Sequence, residues 1–300
     1  MMNKNNIKVK KGYLKEDFRV FHLKDKKNIN YEFHYHDFYK IIYFISGKVK
    51  YLIEGKEYNL TPGDVLLISS EEIHRPIIDF TVAYERVVIW VNPLFLKKHR
   101  SDSFDLSGSF NKANERGSNL LSFNNSKTKL LADTLKALEN EFSGSQIGSH
   151  ILSNSLLIQF MVYTNRICTQ LKTEKTAALG NGKKNDLVNN IIKYINQNLD
   201  SQLTIEKISS HFYISRYYLM HKFKEQTGYT VYNYILQKRL QRAKSLLEKG
   251  MSVVEVCGES GFNNYSSFIR EFKKNFGLPP KKYYNEIIQS HIEYEKKGHF

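Results

Sequence analysis

The apolar residues of this 300-residue chain follow two regimes of spacing. From Phe18 to about Val91 they come in short β-branched and aromatic runs (FRVFHL, KIIYFIS, VKYLI, DVLLIS, YERVVIWV) separated by SGK, EGK and TPGD. Such runs, broken by glycine-containing turns, predict antiparallel strands in a barrel or sandwich. Ser101 to Lys127 is rich in Ser, Asn and Gly and is expected to be a loop. Then the period changes. Leu130, Leu131, Thr134, Leu135, Leu138 and Phe142, followed by Ile151, Leu152, Leu156, Gln159, Phe160 and Tyr163, recur at helical spacing and predict a helical hairpin. Thr173 to Asp186 (TEKTAALGNGKKND) is small, polar and aperiodic, as a linker would be. Everything after it is predicted helical, beginning with an amphipathic face of Leu187, Ile191, Tyr194, Ile195 and Leu199. The length suits two domains at roughly 100 to 200 residues each. Their expected bounds are 1–172 and 186–290, joined by a linker at 173–185.

The helical region contains a repeat. Thr204, Ile205, Ile208 and Ser209 correspond to Ser252, Val253, Val256 and Cys257 at an offset of 48. After the turn the offset is 49, pairing Ser215 with Asn264, Leu219 with Phe268, Phe223 with Phe272 and Gly228 with Gly277. Thr204 and Ser252 can cap a short helix, and Ser252 with Glu255 makes a capping box. Ser209 and Cys257 are small enough for two helices to cross closely. Ser215 and Asn264 can cap the second helix of each unit, whose buried stripe is Leu219 with Phe223, or Phe268 with Phe272. Gly228 and Gly277 fall where a left-handed C-terminal residue is wanted. Two short helices joined by a tight turn make a helix-turn-helix, here at 204–228 and again at 252–277.

Charge sharpens this reading. The formal charge of +15 favours a polyanionic partner, nucleic acid or an anionic membrane surface. From Lys183 onward 19 basic residues stand against 11 acidic ones, so the excess is densest in the last third without being confined there. Cys168 and Cys257 lie in apolar helical surroundings without CxxC spacing, which argues against a disulfide framework or zinc site and fits a reducing compartment. The basic start, MMNKNNIKVKKGY, lacks the apolar stretch of a secretory signal, and no run of 18 apolar residues occurs. A cytoplasmic protein with no membrane partner is expected.

With these residues in view, the chain from about Asp186 to Tyr284 resembles the AraC/XylS family of transcriptional regulators. VVEVCGESGFNNYSSFIREFKKNFGLPPKKYY nearly completes the family signature, and LTIEKISSHFYISRYYLMHKFKEQTG, with Arg239, Ala243, Leu246 and Leu247 of a linking helix, also matches. Two departures stand out. Tyr213 occupies a turn position where Gly is usual, and Ser267 replaces the usual Tyr of the second recognition helix. A recognition helix enters the major groove by its N-terminal turns. The candidate base readers are therefore Arg216, Tyr217, Met220 and His221 in the first unit, and Tyr265, Ser266, Ile269 and Arg270 in the second. Lys222, Lys224, Lys238, Lys273, Lys274, Lys281 and Lys282 are expected, as a group, to hold phosphates.

Phe33 to Gly47 (FHYHDFYKIIYFISG) and Pro62 to His74 (PGDVLLISSEEIH) resemble the cupin-like ligand domain of sugar-sensing members of that family. In metal-binding cupins HxH, a Glu four residues on and a distant His converge on one ion. Here His34, His36 and His74 match, but Lys40 holds the Glu position, and an ammonium repels a divalent cation. No metal or other cofactor is expected. His34, His36, Lys40 and His74 either line a pocket for a polar or anionic small molecule or persist as structural remnants. No nucleophile-base-acid set or phosphate-binding Gly loop is visible, so a cupin-type metal-dependent enzyme is the lesser alternative. The resemblance implies a cupin-like β-barrel with a helical hairpin, followed by an all-α tandem helix-turn-helix domain. It further implies a regulator binding double-stranded DNA and a small-molecule effector, a carbohydrate or an anionic metabolite. Between Lys127 and Leu171 it implies a homodimer interface, the alternative being ordinary packing of the hairpin against the β-domain, and RNA polymerase is a further candidate partner. Activation is the expected sign, although helix-turn-helix chemistry serves repression equally.

Overall fold

The structure is a computed structural model that describes residues 14, 16–26, 31–70, 72–101, 103–122, 125–170 and 186–286. The expected linker at 173–185, and the last residues of the segment expected to end at 290, lie outside the described residues. The chain divides into two compact units, Met1–Lys184 and Asn185–Phe300.

In the first unit the described strands form two antiparallel sheets. The larger runs β1 (Phe18–Asp25), β7 (Tyr84–Val91), β2 (Tyr39–Ser46), β5 (Val65–Ile68), β8 (Leu120–Leu121), and the smaller runs β4 (Lys56–Asn59), β3 (Val49–Ile53), β6 (His74–Ile78). The predicted EGK turn joins β3 to β4, with Glu54 at φ 46° and Gly55 at φ 79°, the paired positive values of a tight hairpin. Alternation along the strands then creates two cores. Ile42, Phe44, Leu66, Ile68 and Val88 meet Val49, Tyr51, Ile53 and Ile78 of the smaller sheet. On the other face Ile41, Val65, Leu67, Val87 and Ile89 are covered by helices.

Those helices are α1 (Pro93–Lys98), α2 (Gly108–Arg116), α3 (Asn125–Ser143) and α4 (Ser149–Gln170). The segment expected as a loop therefore carries α2 and β8. Tertiary contacts override its weak local pattern: Leu106, Phe110 and Ala113 are buried, and the Asn165 amide of α4 donates to the Leu106 carbonyl at 2.9 Å. Asn119 fixes β8 by donating from its side chain to the Leu67 carbonyl at 2.8 Å. The α4 stripe also differs from the expected one. Leu157, Phe160, Met161, Thr164 and Cys168 are buried, while Ile151 and Leu152 face outward.

One polar cluster ties β1 to α3. His22 Nε2 lies 3.1 Å from Glu85 Oε1 and its Nδ1 2.8 Å from Glu139 Oε1, so the protonated ring can donate from both nitrogens. The hydrogen bond to Glu85, aided by Glu139, holds the His22 pKa above 6.5. Glu85 in turn lies below 4.5 because Lys24, at 3.0 Å, and His22 both bond to it. A histidine raised on folding contributes stability fully below its unfolded pKa and loses it as pH rises through the folded value. We therefore expect His22→Gln to lower Tm at pH 6 and to converge on the parent above neutrality. A difference constant from pH 6 to 9 in thermal melts would show that His22 is not the titrating tie.

The second unit contains α5 (Asp186–Gln197), α6 (Ile205–His211), α7 (Arg216–Thr227), α8 (Val231–Glu248), α9 (Val253–Glu259), α10 (Tyr265–Phe276) and a last helical stretch at 280–286. Val188, Ile191, Ile192, Ile195 and Leu199 form the buried side of α5 and its end. Leu240, Ala243 and Leu247 of α8 pack with Val256, Cys257, Phe268 and Phe272 of the second repeat. Tyr234, nearer the start of α8, meets Phe223 of the first repeat edge-on at 5.3 Å. One helix thus contributes to both cores. Arg239, midway along it, donates from Nε to the Leu199 carbonyl at 3.0 Å and from Nη2 to the Ser201 carbonyl at 2.7 Å, holding the end of α5.

Candidate nucleic-acid interface and effector pocket

Each repeat builds its second helix from the expected caps. The Thr204, Ser215, Ser252 and Asn264 side chains accept from the backbone N–H three residues on, and Ser252 with Glu255 completes the capping box. Gly228 and Gly277 end α7 and α10 in the left-handed conformation, at φ 76° and 83°. Leu219, Phe223, Phe268 and Phe272 are buried, which fixes the rotation of each helix and turns the opposite face outward.

On α7 that outward face bears Arg216, Tyr217, Met220 and His221, all exposed. Tyr217 and His221 lie ring over ring at 6.1 Å, and Arg216 pairs with Glu206 of α6 at 3.0 Å. On α10 Tyr265, Ser266 and Arg270 are exposed, and Arg270 Nε lies 3.4 Å from Glu271. Ile269 is a correction: it is half-buried against the core of the second unit, because its position on α10 leans toward α8 and α9 rather than directly outward. Lys224, Lys273, Lys274, Lys281 and Lys282 are exposed. Lys222 is tied to Glu225 at 2.9 Å, and Lys238 sits 5.4 Å over the Tyr234 ring. The exposed set offers guanidinium forks, hydroxyls and an imidazole, groups able to donate to base edges and phosphates.

The repeats diverge at their turns. Tyr213, at φ 52°, is 96% exposed, so a side chain in this strained conformation meets nothing. Its counterpart Gly261, at φ 85°, has no such freedom: a Cβ there would lie 1.9 Å from the Leu199 carbonyl oxygen.

In the first unit the three matched histidines come together. The His34 and His74 ring centroids are 4.4 Å apart, and those of His36 and His74 are 4.8 Å apart. Each Nδ1 donates to a backbone carbonyl: His34 to Glu32 at 2.9 Å, His36 to Phe38 at 2.7 Å and His74 to Glu72 at 2.9 Å. The Nε2 atoms of His36 and His74 are buried without a hydrogen-bond partner. Burial first, then the nearby Lys40 charge, push both pKa values well down, so these rings are neutral. No group of three His, Cys, Asp or Glu among the described residues is arranged to hold a metal ion.

Beside the histidines a cavity of about 270 Å³ opens between the sheets, lined by His34 and Lys40 and by Phe21, Tyr31, Tyr51, Tyr84, Arg86 and Trp90. Burial and the Arg86 guanidinium push Lys40 down to about 8. Arg86 bonds Asp25 at 2.7 Å and lies over the Tyr84 ring at 4.1 Å. His36 and His74 stand behind the lining rather than in it. Sequence reasoning missed Arg86 and the aromatic wall, although the i, i+2 alternation of Tyr84, Arg86, Val88 and Trp90 places a lone charge on an otherwise apolar inner face.

Two family models match. An AraC-like ligand binding domain matches residues 20–161, and a helix-turn-helix domain matches residues 208–286. The probable transcriptional regulator LumQ of Photobacterium leiognathi is 27% identical over 270 residues, covering 89% of this chain and 95% of that protein. The multiple antibiotic resistance protein MarA of Salmonella typhimurium is 31% identical over 97 residues, 32% of this chain and 76% of that protein. The uncharacterized HTH-type transcriptional regulator YdiP of Escherichia coli is 28% identical over 171 residues, and the chain spans 56% of its length. Among solved structures, the C-terminal domain of the response regulator yesN from Fusobacterium nucleatum is 32% identical, covering 33% of this chain and 99% of that one with a TM-score of 0.32. ToxT of Vibrio cholerae is 16% identical, covering 90% of this chain and 98% of that one with a TM-score of 0.36. The matched models and relatives describe regulators of transcription rather than enzymes.

Proposed function

The chain belongs to the AraC family of transcriptional regulators, a DNA-binding regulator with a ligand-binding domain, and on that footing we propose that it is a sequence-specific activator controlled by a small carbohydrate or anionic metabolite bound between its sheets. The observation that carries the DNA reading is the pair of capped helices, α7 and α10, each buried on one side and presenting polar side chains on the other. Arg216, Tyr217, Met220 and His221 read one set of bases. Tyr265, Ser266 and Arg270, with the accessible part of Ile269, read another, and the exposed lysines hold phosphates. The two helices occupy successive major grooves about one turn apart.

Because the two faces differ residue by residue, the recognised site is asymmetric. Arg270→Ala should weaken specific binding by roughly 1 to 3 kcal/mol, the worth of one base contact, and non-specific binding far less. Gel-shift titrations on a selected site and on its scrambled version measure both. Equal losses would assign Arg270 to phosphate contact instead.

Ile147, Ile151 and Leu152, exposed at the α3–α4 turn and along α4, support a homodimer through the hairpin. Such a dimer presents four reading helices to two half-sites, and the activator role adds RNA polymerase as a partner. No helix among the described residues is long and apolar enough to cross a membrane. The buried Cys168 and Cys257, which are not joined in a disulfide, are consistent with work in the cytoplasm. Selecting bound sequences from random DNA, with and without a metabolite extract, tests the reading as a whole. The absence of any enriched site would overturn it.

A further inference from the structure

We infer that the effector is a small monocarboxylate with a flat apolar body, its carboxylate held by Lys40 and Arg86 inside the β-sheet cavity. This rests on the effector-binding reading above and narrows it to one chemistry. The charge tally comes first. Lys40 has no hydrogen-bond or ion-pair partner among the described residues, and the Lys40 and Arg86 charges repel each other across the chamber. Asp25 neutralises Arg86 alone, and the neighbouring His36 and His74 are neutral. One positive charge is left over on a half-buried lysine in a cavity walled mostly by aromatic rings, where a single negative charge would balance it.

Hydrogen-bond chemistry points the same way. The wall supplies donors in want of an acceptor: the Lys40 ammonium, and the buried indole N–H of Trp90, which has no partner. Of the Tyr51 and Tyr84 hydroxyls, 3.1 Å apart, one donates to the other, which leaves the accepting one with a proton of its own to give. A carboxylate only accepts, and fits. A neutral sugar could bond to the tyrosine hydroxyls of the wall, but it would leave the Lys40 charge without a counter-ion. Size and shape complete the case. Some 270 Å³ is about nine times the roughly 30 Å³ share of one water. Phe21, Tyr31, Tyr51, Tyr84 and Trp90 present ring faces and edges to whatever fills that space.

The test is calorimetric titration of the full chain with phenylacetate, its neutral isostere phenylacetamide, glucose and inorganic phosphate. Phenylacetate should bind at least about tenfold more tightly than the amide, that is by about 1.4 kcal/mol or more, and glucose and phosphate should not compete with it. Lys40→Met should fold, melt no lower than the parent because a half-buried charge without an ion-pair partner is gone, and lose the preference for acid over amide. The groups facing Lys40 are His34, His36 and His74 from the loop and β6, and Arg86 from β7. Of the pair holding the anion, Lys40 alone gives up its proton near pH 8, so affinity for phenylacetate should fall above it. Acid and amide binding alike, or glucose binding in preference, would overturn the carboxylate while leaving an effector pocket in place. If none of the four binds, the inference also fails. The effector reading fails only if a metabolite extract leaves operator affinity unchanged as well.

Discussion

Gly261→Ala should unfold the second helix-turn-helix unit or leave it at the edge of unfolding. The added methyl would sit 1.9 Å from the Leu199 carbonyl oxygen and 2.9 Å from Arg239 Nε, and the backbone there is at φ 85°. The obstacle is main chain, and that main chain is itself held, because the same carbonyl accepts from Arg239. Left-handed strain of about 1 to 3 kcal/mol and overpacking of about 1 to 3 kcal/mol together put the loss at roughly 2 to 6 kcal/mol, a large share of an ordinary domain's stability. Chemical denaturation of the full chain, followed by helical circular dichroism, measures it. Tyr213→Ala is the internal control: the position is equally left-handed but open to solvent, so the change should be nearly neutral. A harmless Gly261→Ala would mean that the end of α5 can retreat from the turn.

Arg239→Met should have the second largest effect, for a related reason. Its two charge-assisted hydrogen bonds satisfy the Leu199 and Ser201 carbonyls of the turn that follows α5. Methionine keeps the apolar stem but supplies no donor. Such bonds contribute about 1.5 to 3 kcal/mol each, and water replaces the one at exposed Ser201, so a net loss of about 2 kcal/mol is expected. Arg239→Lys should not restore it, since one ammonium cannot span two carbonyls as a planar fork does. Because Gly261 and Arg239 share the Leu199 carbonyl, the double variant should lose less than the sum of the singles. Strict additivity, or full rescue by lysine, would show that the junction is not built on that oxygen.

Much of this architecture was legible in the sequence where local chemistry decides it. The caps at Thr204, Ser215, Ser252 and Asn264, the left-handed Gly228 and Gly277, and the buried pairs Leu219 with Phe223 and Phe268 with Phe272 all follow from spacing, because a helix end needs a particular side chain within three residues. What long-range contact decides was not legible. Helix α2 exists because Asn165, 59 residues away, reaches the Leu106 carbonyl. Arg86 belongs to the cavity through strand register, pairing with Leu23 of β1 and Phe44 of β2; alternation groups it with Tyr84, Val88 and Trp90, but only that pairing settles which side of the sheet faces the cavity. Ile269 was read as outward from helical phase alone, yet the core it leans on comes from α8 and α9.

The histidines illustrate a subtler limit. Their meeting followed from the motif, but their lone pairs are set by the carbonyls of Glu32, Phe38 and Glu72, a detail of loop geometry that residue types do not encode. The charge at Lys40, which the sequence offers as a flaw in a metal site, lies in three dimensions on the wall of a cavity between the sheets.

Helix α8 carries Tyr234 against one repeat and Leu240, Ala243 and Leu247 against the other, so it works as a solid axle with a reading head keyed to each end. At 3.6 residues per turn, inserting one residue between the keys would swing one head by about 100° around the axle, whereas inserting four would return it to within about 40°. On the proposed reading of DNA by both units, the spacing of the two base clusters is therefore geared to α8, and a change in its length would preserve their relative facing only in steps close to whole helical turns of protein.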